Sequence, residues 1–361
     1  MIPVVKTDPL DKLPPALASA LGSKHLPAVD GLRAVAAFLV VFYHAGFLWC
    51  PAGMGVLAFF VLSGFLITWL LLKEEERFGR ISLKLFYIRR GLRIFPAFYA
   101  FWFLWVGALL FFGKRLVVAQ AIASFFYVNN YYQGIFGDPN TGLSHTWSLG
   151  IEEQFYVLWP LTFMLLKRDR SRVRFLSTAI LAVWLYRELL VFGLNWNQGY
   201  IYEAFDTRAD HLLIGCLLAV VLRNGMLAGL WQRVCSAPWL TWVTIGLLAL
   251  SATLANIVIG RYRDTIGFVV DPVLVAVLIV QSLATGVRGF GAFVNWRWMR
   301  YLGTISYSIY LYQQIVIGPV EKLIRSWLSL PAVVLAVIAA ASASYWIVER
   351  PFLKLKKRFT A

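Results

Sequence analysis

Long apolar runs separated by short basic links set the pattern of this chain. The first run, Val29 to Cys50, reads VDGLRAVAAFLVVFYHAGFLWC and is long enough to cross a bilayer as a helix. Gly53 and Gly55 turn the chain into the second, GVLAFFVLSGFLITWLLL, and a third runs from about Ile94 to Phe112. Further runs cover about 147–166, 175–193, 207–222, 239–259, 266–286, 301–318 and 331–348. Each is expected to span, about ten in all, giving an all-α polytopic integral membrane protein. Gln120 to Tyr132 is apolar but short and is broken by Asn129 and Asn130. It is expected to be interfacial or re-entrant.

Composition agrees: 60% of the 361 residues are hydrophobic, 14% are charged and the mean hydropathy is +0.69. No soluble core needs so much apolar sequence. The net charge of +16 reflects basic links rather than a nucleic-acid surface, since no nucleic-acid-binding motif accompanies it. The most basic link, KEEERFGRISLKLFYIRRGLR, is expected to be cytoplasmic. With ten spans, both termini lie on that side, and the opposite links hold only Lys114, Arg115, Arg261, Arg263, Lys322 and Arg325. Residues 1–28 read as a cytoplasmic tail, 29–350 as the membrane domain and 351–361 as a basic cytoplasmic tail. The first residues contain no apolar signal-peptide core, so no cleaved leader is expected. Cys50, Cys216 and Cys235 are too few and scattered for a disulfide framework or a zinc site, and no metal is expected. No internal repeat suggests the inverted halves of a secondary transporter.

The first helix carries the leading chemical signal. A central Arg in a spanning helix costs roughly 2.5–3.5 kcal/mol on insertion scales, so a chain that keeps one usually needs it. Arg33 and His44 are eleven residues apart, close to three whole turns, and share a face about 16 Å apart along the axis. Arg33 either snorkels to the surface or serves a site; His44 either bonds a neighbouring helix or acts as base or nucleophile. Asp30 reads as an N-cap and Ser63 as a small packing residue. Arg89 and Arg93 share a helix face beside Arg90, and guanidinium forks suit phosphates; the alternative is positive-inside anchoring. His145, Trp147, Ser148, Glu152 and Glu153 surround the start of the fourth span, where two adjacent carboxylates need partners. Asp206, Arg208, Asp210 and His211 begin the sixth span, as a salt-bridged helix entrance or as part of a polar vestibule.

The order of these blocks resembles the acyltransferase-3 family of membrane O-acyltransferases. Arg33, ten residues and His44 look like its signature. GVLAFFVLSGFLIT, RRGLRIFPAFY with Arg90-Gly91-Leu92-Arg93, HTWSLGIEEQFYVLWP, TRADHLLIGCLLA, YLGTISYSIYLYQQ and the final VERPFLKL resemble its further blocks. The similarity runs from about Leu26 to Phe359. Many members carry a His where this chain has Gln313, which shifts weight to His44. The resemblance implies transfer of an acyl group, acetyl foremost, from cytoplasmic acyl-CoA to a hydroxyl of a carbohydrate acceptor such as an exopolysaccharide, a lipopolysaccharide or a lipid-linked sugar. It implies a multi-pass protein of the bacterial inner membrane, in contact with membrane lipid and open to homo-oligomerisation. In that scheme Arg89, Arg90 and Arg93 hold acetyl-CoA. His44, Arg33, Glu152 and Glu153 perform the chemistry. His145, Trp147, Ser148, Asp206, Arg208, Asp210 and His211 meet the substrate. Two rivals stand beside it: a proton-coupled transporter or flippase of lipid-linked sugars, and an O-acyltransferase for a small-molecule acceptor.

Overall fold

The computed structural model describes residues 8–258, 261–285, 288–323 and 329–359. Among them the regular structure is helical throughout. The chain opens with α1 (Pro15–Gly22), α2 (Pro27–His44), α3 (Ala52–Phe78) and α4 (Leu83–Phe111). Two short helices follow, α5 (Val118–Phe125) and α6 (Asn129–Phe136), then α7 (Trp147–Leu165) and α8 (Asp169–Glu188). The middle comprises α9 (Gln198–Glu203), α10 (Phe205–Arg223), α11 (Ala228–Val234), α12 (Trp239–Ile257) and α13 (Phe268–Ala284). The chain closes with α14 (Gly289–Asn295), α15 (Arg297–Thr304), α16 (Ser306–Leu323), α17 (Ser329–Ser344) and α18 (Arg350–Lys356).

Among the described residues, seven helices are long and apolar enough to cross a membrane: Pro27–His44, Ala52–Phe78, Leu83–Phe111, Asp169–Gly193, Trp239–Ile257, Arg263–Ala284 and Leu330–Phe359. The pair Gln198–Arg223 and Ala228–Val234, bent by 106°, makes an eighth. The remaining two runs of the expected ten form α7 and α16, of 19 and 18 residues. At 1.5 Å per residue both have spanning length, but they fall short on apolarity. Glu152, Glu153 and Gln154 interrupt the first, and Ser306, Ser308, Gln313 and Gln314 the second. The polar content that disqualifies these two helices is the content that builds the site. Segment 120–132 divides between two eight-residue helices, each too short to span.

Residues 8–28 are packed rather than trailing. Leu13, Leu17 and Leu21 are buried in the main core, with α1 against α13. The basic C-terminus likewise continues as α18, packed on α4. Asp30 does not cap a helix: α2 begins at Pro27, and Asp30 pairs with His25 at 2.9 Å. Arg325 and the Lys322 side chain lie outside the described residues.

Small residues set one of the tightest crossings. A Cβ on Gly64 of α3 would sit 1.9 Å from the Leu212 carbonyl oxygen of α10, and one on Gly215 would sit 2.1 Å from that of Val61. Two glycines facing each other's backbones let α3 and α10 approach as small-residue interfaces do in membranes. Large apolar side chains such as Phe103, Leu110, Leu165 and Leu185 stay exposed, as a lipid-facing rim requires.

Candidate functional site

The site is a series of cavities strung along α3. A cavity of about 410 Å³ at the N-terminal end of this helix is lined by Gly53 and Met54 together with His44, His145 and Trp147. A second, of about 270 Å³, lies at the C-terminal end, between Lys73, Glu74, Arg89, Arg90 and Lys356. Met54 and Glu74 are twenty residues apart, or about 30 Å of helix. Between the mouths lie two spaces of about 30 Å³ each. One is lined by Arg33, Phe59, Ser148, Glu152 and Tyr310. The other is lined by Arg33, Ser63, Arg90, Arg93, Glu152 and Glu153. Neighbouring spaces share residues: Arg90 joins the basic mouth to the waist, and Tyr310 joins the waist to the large cavity.

In the large cavity, His44 closes α2. Its Nδ1 lies 3.2 Å from Gln313 Oε1, and its Nε2 lies 3.4 Å from Gln314 Nε2. Gln314 Oε1 reaches His145 Nδ1 at 3.2 Å, so one amide side chain joins the two imidazoles. Gln313 Nε2 donates to the Tyr310 carbonyl at 3.3 Å, which turns its Oε1 towards His44. His44 Nδ1 is therefore the protonated nitrogen and Nε2 carries the lone pair. Tyr310 also donates its hydroxyl to the His145 carbonyl at 3.0 Å and sits 2.5 Å from Ser148 Oγ. These bonds hold the short turn Ser144–Thr146 in place at the head of α7.

In the waist, Arg33 Nε donates to Ser306 Oγ at 3.2 Å, and its guanidinium lies 5.8 Å from the Phe59 ring centroid. Ser63 donates to Glu152 Oε1 at 2.6 Å and accepts from the Tyr156 hydroxyl at 3.1 Å. Ser63, expected to be packing alone, is thus the hydrogen-bond partner of a buried carboxylate. Glu153 faces the same space beside Arg90 and Arg93. Among the described residues, Arg33, Arg90 and Arg93 form no ion pair within 4.0 Å. Three guanidiniums facing two carboxylates leave the waist and its inner entrance with an excess of positive charge.

At the basic mouth, Arg89 pairs with Glu74 and donates to the Phe359 carbonyl, tying the C-terminal segment to α4. Arg90 stacks 5.1 Å from the Tyr156 ring. Lys73 and Lys356 complete this wall. Sequence reading missed both, because Lys356 arrives from α18, far along the chain.

The polar group at the start of α10 lies apart from the cavity lining. Asp206, Arg208, Asp210 and His211 do not line the cavity. Asp206 accepts from the hydroxyls of Tyr131 and Tyr200 at 3.0 and 2.9 Å. Asp210 forms a bidentate pair with Arg187 at 3.1 and 3.0 Å and accepts from Trp184 at 2.8 Å; both charged groups are fully buried. His211 bonds the Phe268 carbonyl through Nε2 and accepts from Arg208 Nε on its other nitrogen. Arg208 itself lies 3.9 Å from the Phe268 ring centroid and 4.9 Å from that of Tyr202. The four residues form the packed support behind the cavity wall, close to the salt-bridged alternative.

The Acyltransferase domain family model matches residues 26–349, so this chain belongs to that family. It is 32% identical over 357 residues to "Peptidoglycan O-acetyltransferase OatA" of Listeria monocytogenes, covering 92% of this chain and 56% of that protein. It is 31% identical to "Putative peptidoglycan O-acetyltransferase YrhL" of Bacillus subtilis, covering 91% and 55%. It is 30% identical to "Putative O-acetyltransferase SACOL0978" of Staphylococcus aureus, covering 92% and 58%. The chain spans little more than half the length of these relatives. No solved structure matches it.

Proposed function

From membership of that family, we propose that this chain is a multi-pass O-acyltransferase of the bacterial cytoplasmic membrane. It would move an acyl group, acetyl foremost, from acyl-CoA to a hydroxyl of a carbohydrate such as a cell-envelope polysaccharide. The observation that carries this reading is the row of cavities along α3, with cations at one end and a lone-pair imidazole nitrogen at the other. Phosphates suit the basic mouth, where Arg90, Lys73 and Lys356 present charge and forked donors. The thin arm of the donor would thread the waist. Arg33 lies where a carbonyl would pass and is suited to hold the oxygen as it gains charge.

His44 Nε2 supports the transfer in one of two balanced ways. In the direct route it takes the proton of the acceptor hydroxyl as the oxygen bonds the acyl carbon. The carbon–sulfur bond then breaks and the thiolate regains that proton. In the covalent route Nε2 first displaces the thiolate to give an acyl-imidazolium, and the acceptor hydroxyl oxygen then displaces the imidazole while its proton passes to the thiolate. Gln313 supports both by keeping the proton on Nδ1. The test is purified protein in lipid nanodiscs with labelled acetyl-CoA and envelope oligosaccharides. Label in the glycan, lost in His44→Ala, is the expected result. Glycan export without label points to the flippase reading. Label held on wild-type protein when acceptor is withheld assigns the covalent route.

A further inference from the structure

We propose that the wall of the large cavity formed by Asp271, His145, Trp147 and Tyr202 is the carbohydrate subsite, reading hydroxyl donors with the first two and sugar faces with the rings. The inference rests on the reading above for which cavity takes the acceptor.

Asp271 lies in the first turn of α13, just before Pro272. Only 7% exposed, it lines the cavity that contains His44, and its Oδ1 has no hydrogen-bond partner. A second unpartnered atom lines the same cavity: His145 Nε2, on a residue 4% exposed. Its protonation follows from the amide order already described. His44 Nε2 carries a lone pair, so Gln314 turns its NH2 to His44 and its Oε1 to His145 Nδ1. The proton of His145 therefore sits on Nδ1, and Nε2 is an acceptor.

Both unmatched atoms are thus acceptors, and buried polar groups are rarely left unmatched. What completes them must bring hydrogen-bond donors to two points of one cavity. A metal does not fit, since no group of three ligating side chains exists among the described residues. Charge does not select an ammonium, since Arg263, held by Asp264 at 2.7 Å, lines the cavity together with Asp138 and Asp271. Hydroxyls meet the requirement without charge. Trp147 and Tyr202, ring centroids 5.2 Å apart and tilted by 52°, add apolar ring surface against which a pyranose face packs. The ligand class is a neutral polyhydroxylated ring.

The test is binding of a soluble N-acetylglucosamine tetrasaccharide to the full chain in nanodiscs, read by tryptophan fluorescence and calorimetry. Asp271→Asn keeps the shape and is expected to weaken binding about tenfold, as loss of a charged hydrogen-bond acceptor does. His145→Gln is expected to do the same, and lipid-facing Val273→Ala to leave it unchanged. Acetyl-CoA binding is expected to be equal in all four proteins. Wild-type affinity for the sugar in both Asp271→Asn and His145→Gln, or no binding by the wild type, overturns the subsite. Transfer to glycan with an unchanged acceptor KM in Asp271→Asn also sinks it, while leaving the transferase reading intact. Sugar binding that depends on Asp271 in a protein without transfer does the reverse.

Discussion

His44 Nδ1 and Gln313 Oε1 lie 3.2 Å apart, so an amide on α16 sets which nitrogen of the α2 imidazole keeps its proton. Histidine roles depend on such tautomer choices, and Gln313 makes this one without itself titrating. Where many members of the family carry a second imidazole, this chain has a fixed acceptor instead.

Removing the imidazole is expected to be severe. His44→Ala should lower kcat by about 10²–10⁴, the usual worth of a positioned acid–base group, in protein that keeps its thermal midpoint. Gln313→Leu should cost less and act on kcat rather than on either KM. Steady-state transfer assays on both variants check this, and equal losses in the two would count against the orienting role.

The basic mouth gives a separate signature. Arg90→Ala should raise the KM for acetyl-CoA about tenfold or more, in line with loss of a charge-assisted contact, and leave acceptor KM unchanged. Donor affinity should also fall with added salt, as exposed charge pairs do. Titrating donor at two ionic strengths tests both statements.

Asp210→Ala addresses stability instead of chemistry. Arg187 and Asp210 are paired and fully buried, and breaking such a pair typically costs about 3–5 kcal/mol. A large drop in thermal midpoint is expected, with most of it recovered when Arg187→Met is combined with Asp210→Leu. A catalytic defect at wild-type stability would instead return Asp210 to the site.

At the α3–α10 crossing, Gly64→Ala should destabilise by about 1–3 kcal/mol or more, the range for forced overpacking, because its Cβ meets the Leu212 carbonyl. Gly107→Ala in α4 meets nothing within 4 Å and should be neutral or stabilising by up to about 1 kcal/mol. Melting curves of the two variants, side by side, provide the comparison.

What could be read in advance follows from what periodicity encodes. Apolar runs mark helices, and on α2 both Arg33 and His44 reach α16, at Ser306 and Gln313. Contacts between distant segments are invisible to such reasoning. Ser63 meets Glu152 across 89 positions, and Lys356 comes to Arg90 from the far end of the chain. The polar group at the start of α10 could be read as a salt-bridged entrance or as a vestibule, because composition does not tell inward from outward. Arg187, its partner, lies 23 residues upstream of Asp210 on α8 and carried no local signal.

The narrow waist has an electrical consequence. Each central space is far smaller than either mouth, about 30 Å³ against 410 and 270 Å³, so the waist is the narrowest stretch of the row. A potential of 100 mV drives each elementary charge with about 2.3 kcal/mol, and a continuous aqueous path would discharge it. Arg33, Arg90 and Arg93 outnumber Glu152 and Glu153 there, which opposes the passage of cations. A waist so much narrower than its mouths would let deep openings reach in from both ends while the gradient across the bilayer is kept.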